Sequence, residues 1–325
     1  MVSVGIDLGY GDTKVIGVDG RREKFPSRWA KYDSKSWGFG GSILSLAVDD
    51  GDPFIFGENA TGAGAREPLG DGRLSSADSL PLLAAALWIS GAGDGGAQTS
   101  ITLGSGTPLG TFDQEVAAAR ESLEGKTLTI KANNGQTRQI HIEKLIVRPQ
   151  GVGAALYLVE KGLVKSQPGY GLVVDVGSRT TDVLTINLMN MEPVVEMSFS
   201  IEAGIGDAVS NIGKLIARQT GFVVPTDVAR QALTSPVMFK QRQVGGAEVG
   251  APILKELSNR ILDSLRANLR GELDRVTALI PVGGGAALIG QTLDVLAPGA
   301  LVTAAPEDLQ FANALGYKDA AERSK

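Results

Sequence analysis

The residues of this chain best suited to chemistry are two aspartates, a lysine and a glutamine: Asp7, Asp175, Lys14 and Gln150. Asp7 and Lys14 lie in "GIDLGYGDTK" (Gly5 to Lys14), an apolar run that breaks at Asp-x-Gly and resumes behind small polar residues. Asp175 lies in "LVVDVGSRTTDVLTI" (Leu172 to Ile186), and the two stretches align residue by residue: Asp7 with Asp175, Gly9 with Gly177, Thr13 with Thr181 and Val15 with Val183. Backbone N–H groups in tight glycine turns form a concavity suited to phosphate oxygens. An aspartate alone beside a phosphate would repel it. Two of them make sense if Mg²⁺, which keeps most of its waters, lies between them and the phosphates. Lys14 would then supply positive charge to the outer phosphates. Gln150 is a poor base, but its amide can orient a water for in-line attack, which is much of what phosphoryl transfer asks of a protein.

Each aspartate stands at the end of a β-rich apolar strand followed by a turn and a second β-branched strand, the pattern of a hairpin. Taken singly, either stretch reads most simply as an ordinary turn, because Gly and Asp are common turn residues. Neither matches the Walker A loop, and Lys14 stands where the dinucleotide fingerprint needs its third glycine. Repetition at the head of each half of the chain is what favours two related domains. A third glycine cluster, "ALIPVGGGAALIG" (Ala278 to Gly290), reads as a strand, three glycines and a helix start. Gly283, Gly284 and Gly285 would allow close approach of a flat group, and the helix N-terminus would add partial positive charge. Gln150 sits in "EKLIVRPQGVGAALYLV" (Glu143 to Val159), at a strand–helix corner fixed by Pro149 and Gly151.

Length and composition set outer limits. The chain has 325 residues, 43% hydrophobic and 21% charged, which suits two globular domains. A net charge of −5 gives no global basic field for nucleic acid. With no cysteine, disulfides, thiolate metal sites and cysteine nucleophiles are excluded, and a cytoplasmic setting is expected. The apolar run "PLLAAALWI" (Pro81 to Ile89) is too short to cross a bilayer, no signal peptide is expected, and the tail "YKDAAERSK" is too polar for a membrane-surface helix. Between Arg21 and Lys35 six basic residues outnumber two acidic ones, interleaved with Phe25, Trp29 and Tyr32. That could bind single strands, but a solvated loop or subunit contact fits the acidic chain better, so direct nucleic-acid binding is not expected. His141, between Ile140 and Ile142, is expected to face solvent.

The order hairpin, glutamine corner, hairpin, glycine cluster resembles the actin, heat-shock chaperone and hexokinase superfamily of ATPases, over essentially the whole chain. "PFIFGENA" (Pro53 to Ala60), "ITLGSGTPLGTF" (Ile101 to Phe112) and "EDLQFANALGYKDAA" (Glu307 to Ala321) are similar to stretches of the ParM/StbA-like bacterial and archaeal actin homologues. The resemblance implies an α/β fold of two ribonuclease-H-like domains with nucleotide in the cleft between them. The first would span residues 1–156 and be completed by a C-terminal helix at 304–325; the second would span 157–303. It implies ATP/ADP and Mg²⁺ as ligands. Asp7 and Asp175 would hold the metal through water, and Asp175 would help Gln150 to activate the attacking water. Gly9, Gly11, Asp12 and Lys14 would form one phosphate loop, and Gly177, Ser178, Thr180 and Thr181 the other. Gly204, in "EAGIGD", would border the nucleotide, Gly283, Gly284 and Gly285 would line the adenosine, and Leu288 would lie against the base. Gln150 is actin-like at a position where plasmid-segregation members often carry glutamate.

Three functions follow from that resemblance. The leading expectation is a cytoskeletal ATPase that polymerises head to tail with itself, serving plasmid or DNA segregation through a DNA-binding adaptor, or another cytoskeletal role. A small-molecule kinase on the same fold would need an acceptor base, for which Asp94 and Asp113 are available. A non-polymerising chaperone-type ATPase would ordinarily carry a peptide-binding domain, which is not recognised here.

Overall fold

The computed structural model describes residues 1–32, 43–61, 64–68, 70 and 72–324. Lys35, at the end of the basic stretch, lies outside them. The chain divides into two compact units, one of Met1–Lys161 with Phe311–Lys325 and one of Gly162–Gln310.

The first unit is built on a nine-stranded sheet among the described residues. Val2–Leu8 and Asp12–Ile16 pair antiparallel as the expected hairpin, with Asp7 opposite Lys14 and Leu8 opposite Thr13. Val2–Leu8 also pairs parallel with Thr99–Thr107, which pairs parallel with Thr137–Pro149. Parallel strands buried on both faces read as continuous apolar runs, and Val4, Ile6, Ile101, Leu103, Ile140 and Ile142 are all fully buried. His141, between the last two, is part-exposed and shares a 3.0 Å hydrogen bond with the Thr127 hydroxyl. The apolar run near residue 85 is the helix Leu80–Ile89, whose residues Leu82 to Trp88 are buried in this core. No helix among the described residues is long and apolar enough to cross a membrane.

The closing helix Pro306–Arg323 explains the glycines of "ITLGSGTPLGTF". A Cβ on Gly104 would come within 2.0 Å of the Tyr317 carbonyl oxygen, and one on Gly106 within 2.0 Å of its hydroxyl. Gly5 and Gly153 are equally crowded by Ala314 and Tyr317. Glycine lets backbones approach closely, and here four of them seat the fully buried Tyr317 and its helix on the sheet.

Among the described residues the second unit carries a five-stranded sheet in which Tyr170–Val176 and Thr181–Asn187 form the second hairpin. Val276–Val282 runs parallel beside the first of these, with Val282 opposite Asp175. The helix Ala247–Leu269 buries Leu257, Ile261, Leu265 and Leu269 against this sheet's core, with Ile253 part-buried beside them, as the four-residue spacing predicts.

Candidate functional site

In the first unit, the turn after Asp7 is closed by contacts that no local pattern announces. Ser27 donates its backbone N–H to Gly11 O (2.9 Å) and its hydroxyl to Gly9 O (2.5 Å), while sharing a 2.9 Å bond with the Thr13 hydroxyl. A Cβ on Gly9 would lie 2.6 Å from Asp12 O, so the turn is too tight for any other residue there. Lys14 reaches across the ladder to Asp7, Nζ to Oδ2 at 2.8 Å, with both side chains buried. The lysine expected to meet phosphate is thus engaged by the aspartate expected to meet metal.

The Gln150 corner belongs to the same unit. Gln150 donates its backbone N–H to Thr107 O (2.9 Å), and Gly151 takes the left-handed conformation (φ 83°) that starts the helix Val152–Glu160. Asn313 of the closing helix accepts the N–H groups of Gly151 (3.1 Å) and Ala154 (3.2 Å) at its Oδ1, satisfying donors that a helix start leaves open. A buried asparagine inside the apolar "FANAL" was the signal for this role.

In the second unit the corresponding turn is closed differently. The first two N–H groups of the helix Ile205–Thr220 donate to it, Ile205 to Gly177 O (3.0 Å) and Gly206 to Ser178 O (2.7 Å). Cβ atoms on Gly204 and Gly206 would lie 2.5 and 2.6 Å from Ser178 O. Gly204 therefore docks the turn onto the helix. Gly177 donates its N–H to Thr180 O (2.9 Å), and the buried Thr181 hydroxyl donates to Ala203 O (2.8 Å), so that hydroxyl is spent inside the fold. Across the ladder from Asp175 stands Asp182, where the first hairpin has Lys14. Burial pushes the Asp182 carboxyl above the usual carboxylate range and Glu202 adds to this, against hydrogen bonds from Ser200 and Thr180.

The glycine cluster packs against the same turn. Gly283 has φ 85°, and a Cβ on it would come within 2.2 Å of Asp175 Oδ1. Gly285 donates to Val176 O (2.9 Å) and is pressed between Val176 and Ile205, whereas Gly284 is exposed and faces open space. The helix that follows is only Ala286–Ile289, too short for the macrodipole expected of it. Leu288 is half-buried and packs with the core of the second unit. Within the second unit the structure therefore gathers Asp175, Gly177, Ser178, Thr180, Gly204 and Gly283–Gly285 around one turn. Within the first it gathers Asp7, Gly9, Gly11, Asp12 and Lys14, with Gln150 at its own capped corner.

Tight glycine turns beside buried acids are of the kind that phosphate and metal-bound water call for. Two tight glycine turns and an open glycine at Gly284 leave room where a Cβ elsewhere in the cluster would intrude. Among the described residues no group of three or more His, Cys, Asp or Glu forms a ready-made metal cage. Magnesium needs only one or two carboxylates beside its waters, so Asp7 and Asp175 each suit water-mediated contact. Direct ligation by Asp7 would compete with Lys14.

The hairpin-and-glycine architecture places the chain in the actin-like class. A family model for the N-terminal domain of actin-like proteins matches residues 5–153, and one for the C-terminal domain of MreB-like archaeal actin homologues matches 173–295. The archaeal actin homologues of Thermoplasma volcanium and Thermoplasma acidophilum are each 62% identical over 325 residues, covering all of both chains. The protein belongs to the family of archaeal actin homologues. Crystal structures of an archaeal actin homologue superimpose with a TM-score of 0.92 at 61% identity over all of both chains. Its complex with ADP gives 0.91 at 60%, over 99% of this chain and all of that one. A ParM from a 15-stranded Clostridium botulinum filament shares the fold, with a TM-score of 0.84 at 23% identity over 99% of each chain.

Proposed function

We propose that this protein binds and hydrolyses ATP with Mg²⁺ and polymerises with itself into filaments. The observation that carries the reading is the pair of matched hairpins, each a buried aspartate followed by a glycine turn closed from behind. The full-length relative's ADP complex supports a nucleotide as the ligand, and the shared ParM fold supports assembly.

In this reading N–H groups of the Gly9–Asp12 turn in the first unit, and those of Ser178–Thr180 in the second, meet phosphate oxygens. Asp7 and Asp175 hold metal-bound water; the metal supplies charge neutralisation on the phosphates. When Asp7 takes up that role, Lys14 is freed to face phosphate. Gly283 and Gly284 admit the nucleoside, and Gly283 in particular leaves the Asp175 carboxylate unobstructed. Gln150, held by Thr107 O and by the Asn313-capped helix start, orients the attacking water through its side-chain amide.

The kinase alternative is weakened by Asp94. It forms an ion pair with Arg138, whose guanidinium stacks on Trp88, so it is not poised as a base. The reading is tested by sedimentation and negative-stain microscopy with Mg-ATP, Mg-ADP or no nucleotide. Concentration-dependent pelleting and filaments with ATP are expected. Turnover that depends strictly on an added sugar or acid, without pelleting, would favour the kinase. Gln150→Ala should keep nucleotide binding and slow hydrolysis by on the order of 10²-fold, the cost of misplacing a reactant.

A further inference from the structure

Arg73 is the anomaly of the first unit. Its residue exposure is 5%, yet Nε, Nη1 and Nη2 all lack a hydrogen-bond partner among the described residues. The guanidinium stacks on the ring of Tyr10, 4.4 Å from its centroid, and Tyr10 is part of the first glycine turn. Its position is not accidental. Gly72 (φ 71°) accepts the N–H groups of Ser75 (2.9 Å) and Ser76 (2.8 Å), and the next residue, Leu74, is buried in the core.

A buried guanidinium whose donors find no partner among the described residues is costly to the fold. Burial holds Arg73 down at about 10, against the pull of Tyr10, Asp7 and Glu115, so it remains a cation at neutral pH. Neither nearby acid answers it. Asp7 is taken by Lys14, and Glu115 accepts from Thr111 at Oε1 (2.6 Å), its Oε2 having no partner among the described residues. The Thr107 hydroxyl is likewise buried without a partner among the described residues, on the residue whose carbonyl holds Gln150. Arg73 therefore feels Asp7 and Tyr10 at the first glycine turn and Glu115 on the helix Phe112–Leu123. A planar guanidinium fork matches phosphate oxygens in geometry as well as charge.

We propose that Arg73 is a phosphate ligand of the first unit, stacked on Tyr10 and meeting the terminal phosphate of a nucleoside triphosphate, so that the unit distinguishes tri- from diphosphate. This rests on the nucleotide reading above. The test is calorimetric titration of wild type, Arg73→Met and Arg73→Lys with Mg-ATP and Mg-ADP, paired with melting of the nucleotide-free proteins. Arg73→Met should lose about 10-fold or more in ATP affinity, the equivalent of one contact worth about 1.4 kcal/mol, and keep its ADP affinity. Its nucleotide-free melting temperature should be equal to or above wild type, because an unpaired buried charge has been removed. Arg73→Lys, which keeps charge without the fork, should fall between. Unchanged ATP affinity in Arg73→Met would assign the guanidinium to buried water and overturn the proposal. So would a lower melting temperature with equal loss of ATP and ADP, the mark of a structural cation. Wild type that binds neither nucleotide would instead overturn the reading beneath it, and Arg73's role with it.

Discussion

The two hairpins share a backbone and differ in how charge and closure are supplied. In the first, a serine from a neighbouring strand turn ties the glycine turn through Gly9 and Gly11, and a lysine neutralises the aspartate. In the second, a helix N-terminus ties the turn through Gly177 and Ser178, and the residue across from the aspartate is another acid. An interior cannot hold an acid cheaply, so each hairpin relieves the problem in its own way. Lys14 does it by pairing, while Asp182 is pushed toward its protonated form and held by Ser200 and Thr180. The repeated motif thus keeps its hairpin geometry while the residues that support it differ.

The sharpest way to break the second hairpin is Gly283→Ala. Gly20 has the same φ of 85° but no atom within 4 Å of a Cβ, so Gly20→Ala pays strain alone, about 1–2 kcal/mol. Gly283→Ala adds the collision with Asp175 and should cost about 4 kcal/mol or more, or fail to fold. Urea unfolding of the pair isolates the collision. In the first hairpin, Lys14→Ala strands a buried carboxylate and should cost about 3–5 kcal/mol, most of it restored in the Asp7→Asn, Lys14→Met double variant. An additive pair of losses would mean that the ion pair is not the reason for either.

Ser27→Ala comes next. It leaves Gly9 O and the Thr13 hydroxyl short of a partner and should cost about 1–3 kcal/mol. The equivalent tie in the second hairpin is backbone and cannot be removed by any side-chain change, so a comparable loss on substituting Ser178 would contradict the contrast. The smallest effect is that of Asp182→Asn. The folded carboxyl titrates above its unfolded value of 3.8, so the folded state holds the proton more tightly. Stability is then favoured at low pH and falls as pH rises through the folded value. Asp182→Asn should remove that fall, melting above wild type at pH 7 and at or below it at pH 4. An unchanged pH profile would show that Asp182 is not the titrating group.

How much of this was legible in the sequence follows from what each feature depends on. Asp7, Asp175 and their turns were readable because Asp-x-Gly after an apolar strand is local and occurs twice. The Gln150 corner was readable from Pro149 and Gly151, which constrain only their own backbone. Ser27 was not, because its partners Gly9 and Gly11 are brought to it by strand pairing rather than by spacing. Arg73 carried no local signal either, since its meaning lies in burial beside Tyr10 and in the lack of a hydrogen-bond partner among the described residues. What each glycine approaches was not readable. Gly104 and Gly106 seat a helix, Gly285 is a packing contact, and Gly284 alone of its cluster faces open space. Glycine marks close approach, but the sequence does not say of what.

The central claim is that this protein binds a nucleotide and that the Asp-x-Gly turn of each unit contributes to that binding. Calorimetric titration of the wild-type protein with Mg-ATP tests it most directly. The account predicts saturable binding with a stoichiometry of one, abolished by chelating magnesium or by replacing both Asp7 and Asp175 with Asn. Absence of saturable binding, or binding indifferent to magnesium and to both aspartates, would contradict it.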